Sequence, residues 1–251
     1  MTALIVLAHG SPDPRAAPCT HHVAERVQAC WPEGQVIAAF IEHDDPRLDE
    51  AVRRLEVLGE DDIIIVPLLL SRAFHGRVDV PNAVAAVRET SSAAIRCAEV
   101  IGADEELLPA LERGLPAAVP VVLAVAGTND AAAQQDLDRL AGAWSLQRGA
   151  PVIVGHASQA SPDITAAIAE LESVHSATAA IASFVLFEGV LPDRIRTAAG
   201  SRCVTTPLFT SPELTRLVIN RAQAARTSVA GPRSRSPSTI ASPLQSSSQV
   251  S

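Results

Sequence analysis

Two segments of this chain are versions of one another, and that repetition narrows the possible folds more than any other feature. "LIVLAHGSPDPRAAP" begins with an apolar run, Leu4 to Leu7 flanked by Ala3 and Ala8, and runs into His9-Gly10-Ser11. "VVLAVAGTND" does the same, with Ala126 in the histidine's place. His9-Gly10-Ser11-Pro12-Asp13 aligns with Ala126-Gly127-Thr128-Asn129-Asp130 at an offset of 126 − 9 = 117. Three further blocks follow in the same order. "QVIAAFIEHDDPRLDEAVRRL" aligns with "PVIVGHASQASPDITAAIAEL", Pro46 meeting Pro162 at 162 − 46 = 116. "PLLLSRAFHGRV" aligns with "SFVLFEGVLPDRI" at about that offset, and "IRCAEVIGADEELLPALERGL" with "SRCVTTPLFTSPELTRLVINR" at 203 − 97 = 106. Four blocks in one order predict two tandem domains, roughly 1–115 and 116–225. The competing reading is one doubly wound domain with accidental similarity, which the length of 251 residues also allows.

Within each unit, apolar runs alternate with helix-like patterns. Strands are predicted at 3–8, 35–41, 62–70, 94–98, 120–126, 151–156, 179–187 and 202–206. Helices are predicted at 16–30, 47–58, 79–90, 104–114, 131–147, 162–173, 190–198 and 211–225. Such alternation predicts α/β layers: two similar domains, each a mainly parallel sheet flanked by helices. Asp45-Pro46 and Ser161-Pro162 read as helix starts, a capping residue followed by proline in the first turn. From about 227 to 251 the chain is rich in Ser and Pro without apolar period, and is predicted to be disordered.

Composition removes several classes of function. Hydrophobic residues make up 47%, enough for a substantial core. A net charge of −8 argues against nonspecific nucleic-acid binding, which needs a basic face. All 20 basic residues are arginine, so every fixed side-chain cation is a planar fork suited to carboxylates. No stretch reaches the ~18 consecutive apolar residues of a membrane span, and the first apolar run reads as a buried strand, not a signal peptide. Cys19, Cys30, Cys97 and Cys203 form no CxxC pair, which suits a reducing cytoplasm better than a disulfide framework or a zinc site.

The repeat supplies an internal control for function. His9 becomes Ala126, Glu42 becomes Ser158, and His75 becomes Leu191, while the glycine after the strand, Asp13/Asp130 and the prolines persist. Polar groups needed only for packing would be needed in both copies, so the difference favours a site in the first unit alone. His9 follows the first strand, Glu42 ends the second, and His75 follows the third. In a parallel sheet all three project from the carboxyl edge, where α/β folds place ligands. Two imidazoles and a carboxylate there can bind a divalent transition metal or accept protons near neutral pH. Singly, each has a plainer reading: His9 as a turn residue, and Glu42 and His43 as surface charge. The conjunction favours a site, because metal sites need several ligands at once. Gly76 beside His75 would permit close approach by a ligand.

Other constellations fail. "AHGSPD" is not a serine elbow, and neither GxGxxG nor GxxxxGK[ST] occurs. His21 and His22 are adjacent in a predicted helix and do not share a face. His156 reads as structural, and Cys19 and Cys30 as helix-packing residues.

"LIVLAHGSPDPRA", "AFIEHDDPRLDEAV" and "IIIVPLLLSRAFHGRVDVPNAV" resemble the class II tetrapyrrole chelatases of the sirohydrochlorin cobaltochelatase and ferrochelatase type. The likeness covers about 1–115, and the second half resembles the degenerate repeat of longer, tandem members. It implies two similar α/β domains with a cleft between them. It also implies ATP-independent insertion of Fe2+ or Co2+ into sirohydrochlorin, for siroheme or cobalamin synthesis, by a cytoplasmic monomer or homodimer. No cofactor is then permanently bound; the metal is a substrate, and neither nucleic acid nor membrane is a partner. Carried over residue by residue, His9 and His75 are the metal ligands and, with Glu42, the catalytic residues. Glu42 lies by the macrocycle, and Ser71, Arg72, Ala73 and Phe74 contact it; Ser11 and Arg15 are added as substrate-binding candidates from this chain's own residues. "SRAFHGRV" is bulkier than the glycine-rich loop of many relatives.

The bare residues suit this chemistry. Metallation removes two pyrrole protons and delivers a metal from water, and neutral imidazole can serve both ends. Glu42 could orient a histidine or relay protons. Because sirohydrochlorin carries many carboxylates, local cations are expected among Arg15, Arg72 and Arg77, with backbone N–H groups after "GSPDPR" able to help. Two rival classes remain: a tetrapyrrole or metal carrier without turnover, and a structural α/β protein with incidental histidines.

Overall fold

In a parallel sheet both faces are covered, so an uninterrupted apolar run is stable as a strand. Ala3–Ala8 (β1) is buried at all six positions. The computed structural model describes residues 1–71, 75–158 and 160–227, the side chains of 75 and 76 excepted. β1 lies between β2 (Val36–Phe40) and β3 (Asp62–Pro67), with β4 (Ala94–Cys97) beyond β3; all are parallel, and Leu4 stands opposite Val36 and Ile64. A second parallel sheet has the order β6 (Val152–His156), β5 (Val121–Val125), β7 (Ala180–Phe184). Eight α-helices are described: α1 (Ala16–Gln28), α2 (Leu48–Val57), α3 (Val80–Thr90), α4 (Leu108–Glu112), α5 (Ala131–Arg148), α6 (Ile164–His175), α7 (Val190–Ala199) and α8 (Pro212–Thr227).

The helices cover the sheets in layers. Leu48, Ala51, Val52 and Leu55 fall on one stripe of α2 and pack with α3 on Ile5, Leu7, Ile63 and Ile65, the outer face of the first sheet. Ile164, Ala167, Ile168 and Leu171 of α6 pack with α7 on Val122, Ala124 and Ile181 in the same way. The inner faces share one core. Leu4, Val6, Ile64 and Val66 join Val121, Leu123 and Ala182 through α1, α4, α5 and α8, with Trp144 fully enclosed. Each such aliphatic side chain contributes about 1.5–3 kcal/mol on burial, so the two sheets are bound through a large common interior.

The halves also exchange their last helices. α4, the end of the first repeat, packs on β7, and α8, the end of the second, packs on β3 and β4. Arginines staple the exchange: Arg221 donates to the carbonyls of Val100 and Ile101 at 3.1 Å and pairs with Asp104 at 2.7 Å, and Arg113 pairs with Glu213 at 2.7 Å.

Three local expectations are corrected. Residues 202–206 do not form a strand; Val204 makes a single bridge to Ile181 at the sheet edge. The helix expected at 104–114 is broken into a 3-10 turn, Glu105–Leu107, and the short α4, because Pro109 has no N–H to continue the ladder. Pro46 and Pro162 precede the helices instead of opening them. Their carbonyls accept the N–H of Phe40 and His156 at 3.0 Å, extending the strand ends, and Asp163 caps α6 by accepting from Ala166 at 2.8 Å. The Ser/Pro-rich tail expected to be disordered lies outside the described residues beyond 227.

Candidate functional site

β1 occupies the interior of the first sheet, so its carboxyl end is flanked by those of β2 and β3. His9 follows β1 directly, and Gly10 then makes the turn with φ of 97°. A Cβ on Gly10 would stand 1.7 Å from the Glu42 carbonyl oxygen, a distance no side chain tolerates. Glycine thus lets the β1 and β2 loops touch, and the Glu42 N–H donates to the His9 carbonyl at 2.9 Å. His9 and Glu42, 33 positions apart, become neighbours through their backbones: 42 − 9 = 33.

Their side chains meet as well. His9 Nδ1 lies 3.3 Å from Glu42 Oε1, and His9 Nε2 lies 3.6 Å from Asp79 Oδ2. His43, with φ of 66°, returns its Nε2 to within 3.1 Å of the same Glu42 oxygen. One imidazole is therefore flanked by carboxylates from two other strand-end loops, and the half-exposed Glu42 lies between two imidazoles. Such a chain can hold a proton, pass it outward, or offer nitrogen and oxygen to a borderline metal.

Asp79 was not singled out by sequence reasoning, although the signal was present. It closes a π-helical segment, His75–Asp79, leading into α3, and at the 116 offset it aligns with Ile195, which is fully buried in α7. The comparison that exposed His9 and Glu42 thus covers Asp79 too. His43, read from sequence as surface charge, joins the cluster. The main chain of His75 opens the π-helical segment, and its side chain lies outside the described set. Arg72, Ala73 and Phe74, expected to contact the macrocycle, lie outside the described residues. Among the described residues no three His, Cys, Asp or Glu side chains form a metal-holding group.

Ser11 is structural in its described contacts: its N–H donates to Asp44 at 3.0 Å, and its hydroxyl accepts from the Asp13 N–H at 3.1 Å. Ser71 lines a cavity of about 320 Å³ between the halves. Its wall is mostly apolar: Leu68 and Leu70 on one side, Val125, Gly127, Phe184, Phe187 and Leu191 on the other. This is the cleft expected between the two units.

Two of the expected cations are engaged between the halves. Arg15 pairs with Asp13 at 2.7 Å and with Asp193 of α7 at 2.6 Å. Arg77 pairs with Asp130, the cap of α5. Hydrogen bonding to Arg15 holds the Asp13 carboxyl down to about 2 and lowers that of Asp193. Asp130 is lowered chiefly by the Ala133 N–H it caps, with Arg77 adding to the effect.

The remaining histidines and cysteines divide between packing and surface. His21 stands edge-on to Phe40 and His22 to Phe209. His156 is buried, its Nδ1 without a hydrogen-bond partner, and burial pushes it below the ordinary imidazole range. Cys19 packs in α1 as expected, whereas Cys30 is exposed past the helix end.

Two parallel-sheet α/β halves, with a histidine–carboxylate cluster at one carboxyl rim and an apolar cleft beside it, define a protein built like the tandem chelatases. The CbiX family model matches residues 3–118 and again 120–225, and the chain belongs to that family. It is similar to the sirohydrochlorin cobaltochelatase of Sulfolobus acidocaldarius, 34% identical over 122 residues, covering 48% of this chain and 95% of that one. It is also similar to the sirohydrochlorin ferrochelatase of Bacillus subtilis, 28% identical over 211 residues and 77% of each. In fold it matches SirB from Bacillus subtilis with Fe3+, at a TM-score of 0.77 and 22% identity over 90% of this chain and 96% of that one. CbiX, described as the terminal enzyme for siroheme biosynthesis in denitrifying bacteria, matches at 0.62 and 20% identity, covering 90% and 99%.

Proposed function

We propose that this protein is a sirohydrochlorin chelatase, inserting Fe2+ or Co2+ into the macrocycle without ATP, for siroheme or cobalamin synthesis. The observation that carries the reading is His9 held between Glu42 at 3.3 Å and Asp79 at 3.6 Å, beside an apolar cleft. The reaction exchanges two pyrrole protons for one divalent ion. Glu42 lies beside His9 Nδ1 and Asp79 beside Nε2, so each ring nitrogen faces a carboxylate. Nitrogen and oxygen 3.6 Å apart can share one incoming ion through bonds of about 2.1 Å, or accept and pass on one proton. His75, which begins the segment that ends in Asp79, is the second imidazole of the proposed site. Arg72, Ala73 and Phe74 belong to its macrocycle-contacting loop, with Ser71 at the cleft wall. The apolar walls suit the flat faces of the ring. Iron and cobalt share these donor preferences, and selection between such ions often depends on metal supply. Among the described residues no helix is long and apolar enough to cross a membrane; the proposed site of action is the cytoplasm.

The test is anaerobic incubation with sirohydrochlorin and Co2+ or Fe2+, followed by absorbance. The intact chain should metallate faster than the uncatalysed control over many turnovers, and His9→Ala should lose about a hundredfold or more of that rate. Stoichiometric binding without turnover would mark a carrier instead. A fully active His9→Ala would remove the site.

A further inference from the structure

Arg15 and Arg77 are related by the repeat in an unexpected way. Asp13 aligns with Asp130 at 130 − 13 = 117, and Arg77 aligns with Asp193 at 193 − 77 = 116. In three dimensions the pairs cross over. Asp13 and Asp193 are joined by Arg15 between them, and Asp130 meets Arg77 directly. One junction is thus the counterpart of the other: position 13 against position 77 of the opposite copy, twice. Gly189, the residue immediately before α7, also lies against Asp13.

Both junctions join the halves close in sequence to residues that line the cleft. Asp130 is two residues past Thr128 and Asp193 two past Leu191, and Thr128 and Leu191 both line the cavity. Arg77 is two residues before Asp79, which lies 3.6 Å from His9, and Arg15 follows the His9 loop. Arg15 and Arg77 are half-exposed, and both take carboxylates as partners. A guanidinium fork already holding an aspartate has the geometry for any other carboxylate. Exposed ion pairs of this kind are weak, so a polycarboxylate ligand can compete with them.

We infer that Arg15 and Arg77 are the carboxylate-selecting residues of the cleft, and that Asp193 and Asp130 act as internal competitors whose place the carboxylate arms of the macrocycle take. The inference rests on the chelatase reading above. When the cleft is empty, the two junctions tie the halves together at its edge. When a macrocycle enters, each guanidinium changes partner from the second half's aspartate to a substrate carboxylate, with no net charge to desolvate anew. When the product leaves, the aspartates return. A macrocycle without carboxylates could not make the exchange.

The decisive experiment compares KM and kcat for sirohydrochlorin in the intact chain, Asp193→Asn, Asp130→Asn, Arg15→Ala and Arg77→Ala, alongside binding of metal-free sirohydrochlorin by fluorescence. Asparagine at 130 keeps a helix cap, and thermal midpoints verify folding. Each Asp→Asn change should lower KM and the binding constant roughly two- to fivefold with kcat held, because an exposed competitor is gone. Each Arg→Ala change should raise both roughly five- to tenfold. Competition for the guanidinium requires the two opposite signs together: tighter binding when the aspartate is neutralised and weaker binding when its arginine is removed. If the Asp→Asn variants lose thermal stability while KM stays constant or rises, the junctions only hold the halves together and the inference is overturned. If the intact chain shows no turnover, it is the chelatase reading that fails.

Discussion

At the end of β1 and at the end of β5 the chain makes the same turn with opposite consequences. Gly10 and Gly127 both take positive φ, and a Cβ on either would stand 1.7 or 1.8 Å from the carbonyl oxygen of Glu42 or Ser158. Asp13 and Asp130 both take an N–H bond to a hydroxyl two residues earlier, Ser11 or Thr128, at 3.1 Å. Around this shared frame the chemistry diverges. The first copy directs His9 at Glu42 and Asp79. The second has Ala126, has Ser158 turned back onto the Ala126 carbonyl at 2.8 Å, and has Ile195 sealed in its core. Backbone packing was held in both copies, while the imidazole and the two carboxylates of the first copy have no titratable counterpart at Ala126, Ser158 and Ile195. The second copy supplies that cleft's apolar wall and the two aspartates at its edge.

The comparison can be broken at its frame first. Gly10→Ala and Gly127→Ala should each cost about 2–4 kcal/mol, through an unfavourable φ and a backbone collision. That corresponds to a fall of about 5–15 °C in thermal midpoint. Calorimetry on both variants checks it. Two similar losses support equivalent frames, and a loss confined to one would end the equivalence.

Asp79 tests the divergence. Asp79→Asn keeps size and hydrogen bonding but removes the charge facing His9 Nε2, and should slow metallation about tenfold, less than the ~10²–10⁴-fold that a proton-transferring group itself supplies. Ile195→Val, its counterpart, should leave the rate unchanged and cost about 0.5–1.5 kcal/mol of stability. Equal rate losses in both would mean that Asp79 matters only for packing.

The smallest effect lies in the grooves beside the edge strands. In the first half Phe40 packs against His21, with Arg54 nearby; in the second, the same positions hold His156, Asp138 and Glu170. Burial lowers the His156 pKa, and Asp138 opposes the shift. The unfolded chain, titrating near 6.5, then binds a proton at higher pH than the native one. Stability from neutral His156 is complete above that value and is lost as pH falls below it toward the depressed native pKa. His156→Phe, which installs the first half's residue, should reduce acid sensitivity by roughly 1–3 °C between pH 8 and pH 5. Thermal scans at both values measure it, and an unchanged pH difference would absolve His156.

Much of the fold and part of the site can be read in one dimension. Seven of the eight predicted strands form, because fully apolar runs such as Leu4–Leu7 are stable only where both faces are covered, and the repeat shows the pattern twice. His9 and Glu42 were legible because strand ends in a parallel sheet share one rim, so chain order alone puts them near each other. Asp79 was legible in principle, through Ile195, but a residue beginning a helical pattern looks like ordinary first-turn charge. The proline turns were misread because a helix start and a strand-extending turn have the same Asp/Ser-Pro composition. Which guanidinium meets which carboxylate, and which helix covers which sheet, depends on how two similar halves dock. Such contacts join residues more than a hundred positions apart, as in Arg15 with Asp193 or Arg221 with Asp104. Local preference encodes the strands, helices and rim. The exchange of α4 and α8, the apolar cleft and the paired arginines at its edge were decided by tertiary packing, because their energy exists only once both sheets share one core.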